Sequence, residues 1–315
     1  MNKPHEGRVL VTGAGGAAGV AVIRALRGRY DVLAVDCDPD AVGLRLAGTS
    51  GVVPPGDSPD FAAHVAKLAS RHGATALVCT VAEEIEALAE GNGLLAEAGL
   101  RSWLPSVTTV RTCTDKWAFA QVCRAAGMPV PATAPGSVVG VPGPWIVKPR
   151  FGRGSRDVHP VDTPGDVDLA LARVEQPLVQ TRLAGNEFTV DALVDRDGGL
   201  AGAVPRWRLE TKAGISTRGR TFDNRALVAA VAQLLSAVGL TGPANVQGFV
   251  GGAGEIAFTE VNPRFSGGLP LSLAAGSDLV GEYLRGVHGE PVRPERLLAR
   301  PDVTMFRHLV EVFER

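Results

Sequence analysis

Apolar residues open this chain in short unbroken runs, set between stretches of helical spacing. Residues 8–12 (RVLVT), 31–36 (DVLAVD) and 76–80 (ALVCT) read as strands covered on both faces. Around them, 17–26, 61–71 and 83–90 place apolar positions at helical spacing. Strands alternating with helices predict a parallel sheet, in a unit that ends near Pro105. The spacing then predicts a helix over 114–126, with Thr114 as N-cap and Trp117 and Phe119 as apolar anchors. A stretch rich in Pro, Gly and small residues (129–144) holds a short strand candidate at 137–139 and precedes a strand at 145–148 (WIVK).

The later pattern changes character. Residues 177–183 predict a strand, and 188–194 with 200–207 a hairpin around 195–199. A helix is predicted over 225–238. A second hairpin, 245–250 with 257–261, has a register that sets Gln247 opposite Glu260. This half therefore reads as antiparallel sheets with packed helices.

Composition narrows the picture. A length of 315 residues fits two or three units. Hydrophobic residues at 45% and charged residues at 21% fit a globular chain, and a net charge of −1 gives no pull toward nucleic acid or membrane. No apolar run reaches membrane length and the first residues lack a signal-peptide core, so the expected location is cytoplasmic. Cys37, Cys79, Cys113 and Cys123 form no C-x-x-C pair, which argues for reduced thiols and against zinc.

The chemistry concentrates late in the chain. Glu260, Asn262 and Arg264 share one face at strand spacing, with Pro263 marking the strand end. A carboxylate and an amide oxygen suit Mg²⁺, and a guanidinium beside them suits phosphate or a developing oxyanion. Ser266 and Gly267 precede an apolar helical run whose N-terminus is expected to face the same site. Lys148 closes a strand ahead of a Gly-rich loop at 149–156, which lacks the Gly-Lys-Ser/Thr ending of a P-loop. Lys116 opens a helix. The segment 205–225 sets Arg206, Arg208, Lys212, Arg218, Arg220 and Arg225 against Glu210 and Asp223, a local excess that suggests an anionic ligand or a loop balanced by distant acids. Gly13-x-Gly15-x-x-Ala18 followed by Asp36 fits a dinucleotide fingerprint. Neither Tyr30 nor Tyr283 has a lysine four residues on, so no short-chain dehydrogenase pair supports a nicotinamide reading.

In order, DKWAF at 115–119, VKPRFGRGSR at 147–156, VQTRLAGNEFTVDAL at 179–193, NVQGFV at 245–250 and FTEVNPRFSGG at 258–268 resemble the ATP-grasp superfamily. The resemblance is to its branch similar to the carbamoyl-phosphate synthase large subunit. It implies an α/β Rossmann-like pre-ATP-grasp domain at 1–112, then an α+β ATP-grasp fold with a central and lid part at 113–184 and a C-terminal part at 185–315. It implies that Lys116 and Lys148 contact ATP, and that Phe151, Gly152, Gly154 and Ser155 belong to a lid. Gln180, Thr181, Arg182 and Leu183 would flank adenine, although Thr181 stands where many relatives carry an acid. Glu187 would bind ribose, and Gln247, Glu260 and Asn262 would hold Mg²⁺, with Mn²⁺ as a substitute. Glu187 also admits a plain arginine pair, and Gln247 a structural cross-strand role. Arg264 would stabilise the transferring phosphoryl group.

The implied reaction is ligation of a carboxylate to an amine through an acyl phosphate, releasing ADP and phosphate. Glu83 or Glu84, at a strand-to-helix turn, is a candidate for a substrate ammonium. Arg206, Arg218 and Arg220 are candidates for a substrate carboxylate, the last two also for catalysis. Amino acids or peptides are the expected substrates, and the resemblance leaves room for a homodimer. Carbamoyl-phosphate chemistry and a nucleotide-binding protein without turnover are the alternatives.

Overall fold

A computed structural model describes residues 7–152, 154 and 156–314. The first unit contains β1 (Arg8–Val11), α1 (Ala17–Leu26), β2 (Asp31–Asp36), α2 (Val42–Leu46), β3 (Thr49–Val52), α3 (Phe61–His72), β4 (Ala74–Val78), α4 (Ala82–Glu90) and α5 (Asn92–Glu97). Its strands form a parallel sheet in the order β3-β2-β1-β4. Val9, Leu10, Val11, Leu33, Ala34 and Leu77 are at most 1% exposed, as a sheet covered on both faces requires. Sequence reading missed β3 and α2, because TSGV carries no apolar alternation.

The glycine-rich turn after β1 is filled by the protein itself. The Gly15 amide donates to Asp36 Oδ2 at 2.7 Å, and the Asp38 amide to Asp36 Oδ1 at 3.0 Å. Gly43 in α2 lies so close that a Cβ there would sit 2.0 Å from the Ala14 carbonyl oxygen.

Two helices join the units: α6 (Val107–Thr114) and α7 (Lys116–Ala125). The helix expected over 114–126 is α7, and α6 ahead of it is an additional element. Ser106 caps the first by accepting from the Thr109 amide, and α6 runs across the expected boundary at 112. Asp115, not Thr114, caps the second, its Oδ1 accepting from the Trp117 and Ala118 amides. A small sheet then forms from β5 (Thr133–Pro135), β6 (Trp145–Pro149), β7 (His159–Val161) and β8 (Pro177–Thr181), in the order β5-β8-β6-β7, with α8 (Pro164–Leu171) packed near it. The expected strand at 137–139 is not one; the chain pairs at β5 instead.

The third unit is a six-stranded sheet of β9 (Asn186–Val194), β10 (Leu200–Lys212), β11 (Ile215–Thr221), β12 (Gly242–Val250), β13 (Ile256–Asn262) and β14 (Thr304–Phe306), ordered β13-β12-β9-β10-β11-β14. Gln247 pairs with Glu260 in the β12–β13 register, as the hairpin predicts. The basic segment at 205–225 is mostly the β10–β11 hairpin rather than a loop. One sheet face packs on α9 (Arg225–Ala237) through Phe188, Val190, Val246 and Phe258. The other turns toward α10 (Leu269–Ala274), α11 (Leu279–Val287) and the first unit. There Tyr283 stacks on Trp103 with ring centroids 5.6 Å apart, and its hydroxyl donates to the Leu77 carbonyl at 3.1 Å. Among the described residues no helix is long and apolar enough to cross a membrane.

Candidate active site

A cavity of about 500 Å³ opens where the units meet. Its walls are Ala82, Glu83 and Glu86 from α4, Arg111, Cys113 and Thr114 from α6, Asp115 and Lys116 at the start of α7, Phe151 and Gly152, and the run from Glu260 to Arg264. β13 ends at Asn262, and Pro263 has no N–H to continue the ladder. The Arg264 amide turns back onto the Asn262 carbonyl at 2.8 Å, which keeps the arginine beside the strand end. Asn262 Nδ2 donates to Glu260 Oε1 at 2.9 Å, and Arg264 Nη2 to Asn262 Oδ1 at 3.3 Å. Carboxylate, amide and guanidinium thus form one contiguous set.

The lysines lie on the Gly-rich loop side. Lys116 Nζ donates to the Gly152 carbonyl at 2.9 Å. Burial pulls its pKa below the usual lysine value, against the opposing pull of Glu260, Asp115 and Glu83. Lys148 is 9% exposed, and its Nζ donates to Gln180 Oε1 at 2.8 Å. Burial lowers its pKa to about 8; the Glu260 carboxylate opposes that shift and the Lys116 charge adds to it. Both ammonium groups therefore sense Glu260. The loop base is fixed by Arg150, which pairs with the capping Asp115 at 2.5 Å. Burial works to raise the Asp115 pKa, and the bonds from Arg150 and the helix amides outweigh it.

Under the strands runs a buried polar ladder that sequence reading missed. Arg208 donates to Gln247 Oε1 and lies 3.3 Å from Glu187 Oε1. Gln247 Nε2 donates to Asn245 Oδ1 at 3.2 Å, and Asn245 Nδ2 to Thr189 Oγ1 at 2.6 Å and Asp191 Oδ1 at 3.1 Å. Asp191 pairs with Arg206 at 2.8 Å and accepts from Ser272 Oγ in α10. Period-2 spacing of Glu187, Thr189 and Asp191 beside Asn245 and Gln247 was the available signal.

Several expected site residues lie elsewhere. Arg206 is 1% exposed, locked to Asp191 and donating to Ser266 Oγ at 3.0 Å, so neither Arg206 nor Ser266 reaches the cavity. The Gly267 carbonyl accepts from Arg307 at 2.6 Å, and the short α10 begins against Arg206 rather than at the cavity. Arg218 and Arg220 are exposed, and Arg220 pairs across with Trp207 on the sheet face that packs α9. Gln247 and Arg208 occupy the opposite face, so the alternation of β11 carries both arginines away from the site. Glu83 lines the cavity, but the carboxyl of Glu84 turns inward to accept from Thr12 Oγ1 at 2.5 Å. Arg182 pairs with Asp162, and the Thr181 amide donates to the Ala132 carbonyl. Leu183 is half-buried just past the end of β8. Gly154 approaches Gly214 in the β10–β11 turn. Ser155 lies outside the described residues. Glu187 has the arginine pair that its alternative reading allowed, and burial raises its pKa.

Comparison with known proteins agrees with this architecture. The C-terminal stretch 173–308 matches a family described as "ATP-grasp in the biosynthetic pathway with Ter operon". Biotin carboxylase from Campylobacter jejuni superposes with a TM-score of 0.74 at 16% identity, over 93% of this chain and 74% of that one. The chain has the ATP-grasp fold. Two further ATP-grasp likenesses are the biotin carboxylase domain of Hydrogenobacter thermophilus 2-oxoglutarate carboxylase, a dimer with MgADP and bicarbonate, and L-amino acid ligase from Bacillus licheniformis. The first has a TM-score of 0.74 at 17% identity, over 94% and 73% of the two chains. The second has a TM-score of 0.73 at 16% identity, over 95% and 78%. No curated protein sequence matches significantly.

Proposed function

We propose that this ATP-grasp chain is an ATP-dependent ligase that joins a carboxylate to an amine, releasing ADP and phosphate, with amino-acid-type substrates. The observation that supports this best is the shared cavity of Lys116, Glu260, Asn262 and Arg264, closed on one side by Phe151 and Gly152. Lys116 and Lys148 would bind phosphate oxygens through their ammonium groups, and the Gly-rich loop would cover them. The hard oxygens of Glu260 and Asn262 fit Mg²⁺, which when bound with the nucleotide offsets phosphate charge. Arg264 would hold the oxyanion that develops as a substrate carboxylate takes the γ-phosphoryl group. An amine then displaces phosphate from the acyl phosphate. Glu83 on the α4 wall would give an amine an anionic approach, while Glu86 beside it is paired with Arg111 at 2.7 Å. Relatives that form the same fold include an L-amino acid ligase, which favours this chemistry over carbamoyl-phosphate synthesis.

The test is incubation with Mg-ATP and pooled amino acids, with ADP, AMP and phosphate quantified. Substrate-dependent ADP and phosphate support the ligase. AMP would replace the acyl phosphate with an adenylate, and bound ATP without turnover would make the chain a nucleotide sensor.

A further inference from the structure

Gln247 Oε1 and Asn262 Oδ1 each accept from a guanidinium, and the two contacts differ: Arg264 Nη2 reaches Asn262 at 3.3 Å from two residues along the chain, whereas Arg208 meets Gln247 from another strand. Both polar atoms of the Gln247 amide are committed: Oε1 accepts from Arg208 Nη1, and Nε2 donates to Asn245 Oδ1. Arg208 itself is pinned. Its side chain is 8% exposed, Nη1 lies 3.3 Å from Glu187 Oε1, and Nη2 donates to the Gly214 carbonyl at 3.0 Å. Those anchors come from β9, β12 and the β10–β11 turn, so the guanidinium cannot leave without breaking contacts to three elements. Arg208 Nε is buried and has no hydrogen-bond partner among the described residues. A fixed positive charge thus sits on the oxygen that Gln247 would offer a cation.

We infer that Arg208 takes the place of a metal ion at Gln247, so that the site accepts a single divalent cation per nucleotide, held by Glu260 and Asn262. This rests on the nucleotide-binding reading above. Like charges repel strongly at low dielectric, and a second cation against the Arg208 guanidinium meets that penalty directly. Arg208 is a positioning residue in this account: it orients the Gln247 amide and Glu187 and supplies a charge that needs no metal.

The experiment counts metal, not turnover. The protein is saturated with a non-hydrolysable ATP analogue whose binding is measured by calorimetry, and Mn²⁺ is titrated while the electron paramagnetic resonance signal of free Mn²⁺ is followed. One Mn²⁺ per bound nucleotide is expected, with affinity weakened tenfold or more in Glu260→Gln. Arg208→Gln should admit a second Mn²⁺, whereas Arg208→Lys, which keeps the charge, should stay at one. Two Mn²⁺ per nucleotide in the unmodified protein would overturn this inference alone, and that measurement does not depend on any variant folding. Failure to bind the analogue at all would overturn the nucleotide reading and this inference with it.

Discussion

Glu84 makes the fold of the first unit sensitive to pH. It is 6% exposed, and burial raises its pKa from 4.5 to about 7 despite the hydrogen bonds from Thr12 and Cys79; the Asp36 and Glu83 charges push the same way as burial. The native state therefore keeps this proton up to about pH 7, while the unfolded chain releases it near 4.5. Between those values the native state binds more protons, so stability falls as pH rises, and the loss is complete above the folded pKa. The gap between 4.5 and about 7, at about 1.4 kcal/mol per tenfold, comes to about 3 kcal/mol. Glu84→Gln keeps the shape and an oxygen to accept from Thr12, but has no charge to bury. Thermal melts of both proteins at pH 5, 6, 7 and 8 make the comparison. At pH 8 the variant should melt higher by roughly 5–10 °C, and at pH 5 the difference should shrink to about 1–2 °C. Curves that run parallel from pH 5 to 8 would refute the assignment of this proton to Glu84.

Three further tests probe the site and its support. Asp191→Ala strands the buried Arg206 guanidinium and should cost about 3–5 kcal/mol, seen as a large drop in melting temperature. The pair Asp191→Leu with Arg206→Met should recover only part of that loss, because Ser272 and Asn245 lose their acceptor and Ser266 its donor, and equal damage from single and double variants would contradict it. Arg264→Ala should lower turnover by roughly 10²–10³-fold with nucleotide affinity nearly unchanged, measured by ADP release and calorimetry; normal turnover would remove it from the reaction. Gly286→Ala would set a Cβ 2.0 Å from the Trp103 ring and should destabilise the packing of α11 on the first unit by about 1–3 kcal/mol, while an unchanged melt would show that this interface yields freely.

What could be read in the sequence follows the range of the interaction that carries it. β1, α1, β2 and the two antiparallel hairpins came from local periodicity, and a period of two alone sets Gln247 against Glu260. The cap of α7 needed a choice between adjacent polar residues. Asp115 wins because its carboxylate also pairs with Arg150, a partner 35 positions away. β11 was hidden because arginines at 218 and 220 read as charge rather than as the exposed alternate positions of a strand. The same alternation explains why they cannot serve the cavity: a strand that buries Gly219 and Thr221 on one face must send Arg218 and Arg220 to the other. Arg208 shows the limit most clearly. In sequence it is one of six cations in a basic segment, and nothing local separates it from Arg218 or Arg220. It becomes distinct only when β9 and β12 bring Glu187 and Gln247 to its guanidinium. A ligand pattern in sequence and the bonds its oxygens already make are different things, and only the fold distinguishes them: Gln247 stands in register with Glu260, yet its oxygen accepts from a guanidinium held by two other elements, whereas the Glu260 carboxylate acts on both lysine ammonium groups.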